Sequence, residues 1–94
     1  MKKMSVRYID EMKILISVSV IKALDLKVQN KHLSYEEIVP KVLKSIKFEN
    51  EDCGILILAS ASRALKYYDA GSDYKETISR VLNESDELIG LLES

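Results

Sequence analysis

Apolar positions recur at three- and four-residue steps along nearly the whole chain, the spacing of amphipathic helices. Over 5–29 one stripe is formed by Ile9, Met12, Ile16, Val20, Ala23 and Leu24. The run 14–21 also fits a strand, because Ile14, Ile16, Val18 and Val20 alternate around Ser17 and Ser19. Leu15 and Ile21 break that alternation, and the flanks YIDEMK and KALDLK are helical in character, so a helix is expected.

A second helix is expected over 35–47. Ser34 and Glu37 have capping-box spacing, and Tyr35, Val39, Val42, Leu43 and Ile46 form the expected core face. Pro40 lacks a backbone donor, so a kink or a late start is expected there. Phe48, Glu49 and Asn50 read as a turn, with Asn50 capping a third helix over 51–70. Gly54, Ile57, Leu58, Ala61, Leu65 and Tyr68 are its expected inner face, and Gly71 its stop. A fourth helix over 74–92 starts on the pair Asp73 and Glu76. Tyr74, Ile78, Val81, Leu82, Leu88, Ile89 and Leu92 face inward, with Arg80, Asn83, Glu84 and Glu87 on the polar side. Short connections favour antiparallel neighbours, so the expected fold is all-α, a small antiparallel four-helix bundle forming one domain over 1–94.

Composition narrows this picture. The 94 residues are 47% apolar and hold only three Gly and one Pro, too few breakers for a sandwich or barrel. Cys53 is the single cysteine, which excludes an internal disulfide and a CxxC site, and makes a reducing cytoplasm the expected setting. Asp10, Glu11 and Lys13 interrupt any leader-like apolar core behind the basic start, so no leader is expected. The longest charge-free runs, 14–21 and 53–62, fall short of the roughly 20 apolar residues of a membrane-spanning helix.

Three features point to partners. On the first helix, Ile14, Val18, Ile21 and Val28 form a second, heptad-like apolar seam opposite the core stripe. Either the other three helices wrap it, or a second copy covers it; a homodimer is expected. Charge is also segregated. Residues 1–47 carry 10 basic and 5 acidic side chains, whereas 48–94 carry 4 and 10, although the whole chain is only -1. Lys27, Lys31, His32, Lys41, Lys44 and Lys47 gather around the first interhelical corner. They could contact phosphates of a nucleic acid, or simply form a solvated face complementing the acidic half. Finally, Gly54, Ala59, Ser60, Ala61, Ser62 and Ala64 give the third helix a small-residue face. It suits close helix packing or a ligand pocket near Tyr67 and Tyr68.

The segment SASRALKYYDAG resembles the end of a winged-helix recognition helix, and LSYEEIV the helix before it. The separation exceeds a short helix-turn-helix turn, and a charged helix rather than a β-wing follows, so no DNA-reading role is carried over. With DYKETI, the same segment also resembles a single tetratricopeptide hairpin, without a second repeat. Catalytic material is sparse. Cys53 near a helix start has Glu51 and Asp52 beside it, and the lone His32 is distant in sequence. No metal-binding spacing, cofactor motif or phosphate-cradling glycine loop is present, so an interaction or assembly role without catalysis is expected.

Overall fold

The computed structural model describes residues 6–93, which form an all-α fold with no strand among them. Five α-helices follow one another: α1 (Val6–Gln29), α2 (Tyr35–Ser45), α3 (Glu51–Asp69), α4 (Tyr74–Asn83) and α5 (Ser85–Gly90), with a closing 3-10 turn at Leu91–Glu93. The expected start of the first helix at Ser5 lies outside the described residues. At roughly 1.5 Å per residue α1 is about 36 Å long, most of the 42 Å long axis of the molecule.

Helix α1 is the spine, and its largest interface is with α3. Met12, Ile16, Val20, Ala23 and Leu24 are buried, as the first stripe requires. One apolar cluster joins Met12, Ile16, Val20 and Leu24 to Leu56 and Ala64 of α3, Val81 of α4, and Leu88 and Ile89 of α5. The other seats Ile38, Val39 and Val42 of α2 against Ala23 of α1 and Ile57, Ala61 and Leu65 of α3. Small residues at Ala61 and Ala64 let these helices approach closely, the packing explanation of the small-residue face.

Local signals hold at several ends. Asn50 accepts from the Cys53 amide (3.1 Å) and Asp73 from the Glu76 amide (2.7 Å). Gly71 adopts φ 113°, a conformation that L side chains rarely take, directly after α3. Gly54 is buried under the Phe48 ring; a Cβ there would lie 3.2 Å from Phe48 Cε2.

The structure corrects other expectations. The fourth helix is not continuous: it breaks at Glu84 (φ -98°, ψ 12°), and α5 begins at Ser85. Helix α2 ends at Ser45, not residue 47, and runs through Pro40 from its start at Tyr35. Pro40 is exposed, so water can satisfy the carbonyl that its missing N–H would have bonded. Ser34 makes no side-chain cap; its carbonyl instead accepts from the amides of Glu37 and Ile38, both at 3.0 Å. Tyr35 and Leu58 are exposed, while Ile38 and Leu56 take the buried positions.

Candidate functional site

The second seam of α1 is uncovered. Ile14, Ile21 and Val28 are 63%, 39% and 46% exposed, and Val18 is half-buried between them. Their side chains share one face because steps of four, three and seven residues return to nearly the same angle on a helix. The reading in which the other helices wrap α1 on every side does not hold. The polar interruptions of this stripe are already engaged within the chain. Asp25 accepts a hydrogen bond from the Tyr74 hydroxyl at 2.7 Å, and Arg7 pairs with Glu11 at 3.5 Å. The bond to Asp25, with burial and the carboxylate's charge behind it, raises the Tyr74 pKa above its ordinary 10.0.

The lysine corner divides. Lys27 is not available to a phosphate: its ammonium donates to the Leu33 carbonyl at 3.0 Å and lies 3.9 Å from Asp69, with the side chain only 19% exposed. It ties the loop after α1 to the end of α3. Lys31, His32, Lys41, Lys44 and Lys47 are exposed, and none is in an ion pair among the described residues. Two ion pairs, Lys27–Asp69 and Lys13–Asp86 (3.9 Å), connect the basic half of the chain to the acidic half. Charge segregation along the sequence thus serves partly to pair the two halves in space.

The densest polar constellation was not anticipated from sequence. At the α4–α5 break, both carboxylate oxygens of Glu84 accept from the Tyr67 hydroxyl (2.6 and 2.7 Å), and Oε1 also accepts from Arg63 Nη1 at 3.0 Å. The same guanidinium nitrogen donates to Glu87 at 3.2 Å. Arg80 lies over the Tyr67 ring, 4.0 Å from its centroid, and donates to Ser72 at 3.0 Å. Burial alone would push the Glu84 carboxyl up. The Tyr67 and Arg63 hydrogen bonds, with the charges of Arg63 and Arg80, outweigh it and hold the carboxyl below its ordinary 4.5. The same bond, donated by Tyr67 to Glu84, raises the Tyr67 pKa above its ordinary 10.0. These groups satisfy one another, so they form a clamp holding the broken helix on α3.

Beside the clamp runs an open groove of about 810 Å³, floored by Ala59 and Ser62 and flanked by Tyr35 and Glu87, with Lys66 along α3. Tyr67 lines it, and both Tyr67 and Tyr68 pack against the core. Cys53 is buried at the start of α3, and His32 is exposed in the loop after α1.

No protein-family model matches the chain, and neither a curated protein nor a solved structure matches it. No helix among the described residues is long and apolar enough to cross a membrane.

Proposed function

We propose that this chain is a small interaction protein that pairs with a second copy through the outer face of α1 and performs no catalysis of its own. The observation that carries the reading is the uncovered stripe of Ile14, Val18, Ile21 and Val28. A heptad-like stripe on a long helix suits a second helix, and a two-fold pair presents the same stripe on both sides. An in-register parallel pair would set Asp25 against Asp25 and Glu11 against Glu11, so the pairing is antiparallel. Within each copy the helices are read as an up-down antiparallel four-helix bundle, with α4 and α5 together as its broken fourth member. The short connections 30–34, 46–50 and 70–73 support that arrangement.

Sedimentation velocity from about 10 µM upward tests the pairing, a range corresponding to roughly 7 kcal/mol of association. The wild type is expected to approach the mass of two copies. Ile14→Glu with Val18→Lys is expected to remove the association mediated by α1, with helix content unchanged by circular dichroism. A monomeric wild type through several hundred micromolar, or a double variant that associates like the wild type, refutes the reading.

A second reading rests on the exposed, unpaired cations Lys31, Lys41, Lys44 and Lys47, which could contact the phosphates of a nucleic acid. It requires low-salt binding to a mixed-sequence oligonucleotide that Lys41→Glu with Lys44→Glu abolishes. Unchanged mobility of that oligonucleotide at low salt rejects it.

A further inference from the structure

Charges flank the apolar stripe of α1: Arg7 and Glu11 precede Ile14, while Lys22 and Asp25 stand around its far half. Arg7, Glu11 and Asp25 are exposed, and Lys22 is half-exposed with no ion pair among the described residues. Arg7 and Glu11 already pair within the chain at 3.5 Å. At about 100° per residue, Arg7 and Asp25 lie on the midline of the stripe, with Ile14 and Val18 roughly 20° to either side of it. Glu11 and Lys22 are both turned to the Val18 side, by roughly 40° and 60°, and Ile21 to the Ile14 side by roughly 40°. Asp10 stands about 60° off the midline on the Ile14 side, at the rim.

A two-fold axis that reverses the helix keeps every residue on its own side of the midline and exchanges levels along it. Placed at the level of Ile16, whose side chain is buried in the core, the axis sets no residue of the stripe on itself. Ile14 of one copy then lies level with Val18 of the other on opposite sides of the midline, as neighbouring knobs of an antiparallel seam. Arg7 lies level with Asp25 on the midline, each about 13 Å along the helix from the two-fold. Glu11 and Lys22 meet on the side they share, about 7 and 9 Å from it. Ile21 lies level with Glu11 across the midline, which leaves the Glu11 carboxylate at the rim beside Lys22. Each end thus carries an alternating row, Lys22 and Asp25 of one copy around Glu11 and Arg7 of the other. Shifting the pair by seven residues sets Ile14 level with Asp25 in one direction and Arg7 level with Val18 in the other, and neither shift matches these charges.

We infer that α1 receives the second copy in one register, antiparallel about Ile16, selected at both ends by Arg7 with Asp25 and Glu11 with Lys22. This rests on the pairing proposed for α1 and names the contacts that fix it. Exposed charge pairs contribute little each, so they choose the register while the apolar stripe supplies the strength. Within one chain Glu11 and Lys22 are about 16 Å apart along the helix, so coupling between them arises between copies.

Sedimentation equilibrium of the full chain at about 50 mM salt, where surface pairs are weakly screened, tests the charges. Glu11→Lys alone and Lys22→Glu alone are each expected to weaken the dimer about tenfold, because each turns two attractive pairs repulsive. An equimolar mixture of the two variants regains opposite charges at both ends and is expected to associate like the wild type, with helix content checked by circular dichroism. The register is read directly from nitroxide labels at Gln29→Cys in a Cys53→Ala background. They are expected roughly 39 Å apart along the axis, against about 28 or 50 Å after a seven-residue shift and the same level in a parallel pair. A dimer with any of those other separations, single variants as tight as the wild type, or a mixture no tighter than the single variants overturns the register and leaves the α1 pairing standing. A wild type that stays monomeric through several hundred micromolar overturns the α1 pairing and the register with it.

Discussion

Removing the Glu84 clamp should loosen the C-terminal third of the chain without unfolding the rest. Glu84 accepts from Tyr67 and Arg63 where α4 stops and α5 starts, so its carboxylate fixes the direction in which Leu88 and Ile89 enter the core. Hydrogen bonds to a charged group contribute about 1.5–3 kcal/mol when well buried. The Arg63 and Glu84 side chains remain 25% and 28% exposed, which moves the ion-pair part toward the ~0.2–1 kcal/mol of surface pairs. Glu84→Ala is therefore expected to cost about 2 kcal/mol. Tyr67→Phe and Glu84→Gln should each cost about 1 kcal/mol, and Tm should fall by roughly 4–8 °C per kcal/mol in a domain of this size. The Glu84 carboxyl is held below its ordinary 4.5. Its contribution is thus complete above that value and lost as pH falls through the lower folded pKa. Thermal melts of wild type and Glu84→Gln from pH 7 to pH 3 should show a gap that closes on acidification. A double-mutant cycle between Tyr67→Phe and Glu84→Ala should give a coupling of at least ~0.5 kcal/mol. A pH-independent gap, or additive single effects, would refute the clamp as the element holding the break.

Other substitutions address single features. Gly71→Ala forces an L side chain into φ 113° and is expected to cost about 1–2 kcal/mol in urea denaturation. Gly54→Ala sets a Cβ 3.2 Å from the Phe48 ring. Because that ring is half-exposed at a turn and can move, the gain in helix propensity should prevail, by up to ~1 kcal/mol; a drop in the urea midpoint would show that the ring is fixed. Lys27→Met removes the bond to the Leu33 carbonyl and the Asp69 pair, and is expected to speed hydrogen exchange at Leu33 while leaving the α1 core amides protected.

Much of the fold can be read from local pattern, because helical periodicity and caps act within four residues. The buried stripe Met12, Ile16, Val20, Ala23 and Leu24, the Asn50 and Asp73 caps and the Gly71 stop are all of this kind. Phase errors arise where the pattern is short or saturated. The run Ile55-Leu56-Ile57-Leu58 is apolar at every position, so only packing decides that Leu56 and Ile57 enter the core while Ile55 and Leu58 face out. In the eleven residues of α2, Tyr35 stands at the first position and is exposed, while Ile38 one turn on is buried. The break at Glu84 is hidden for another reason: its partners Tyr67 and Arg63 stand 17 and 21 residues away. Likewise Lys27 reads as a solvated helix-end cation until the fold brings Leu33 and Asp69 to it. The seam of Ile14, Val18, Ile21 and Val28 was legible because α1 carries two stripes where one suffices for the core.

The outer face of α1 predicts how the proposed pairing depends on concentration. The α1 stripe offers the equivalent of about one and a half fully exposed aliphatic side chains, and fully burying one such side chain contributes roughly 1.5–3 kcal/mol. Two copies paired through this stripe would gain about 5–9 kcal/mol, against an association cost of ~4 kcal/mol or more. The wild type is then expected to approach a two-copy plateau as concentration rises, with little dependence on salt because the stripe is apolar. Ile14→Glu with Val18→Lys should leave the mass at one copy, and a wild type that stays at one copy through several hundred micromolar would show that the stripe is not a pairing surface.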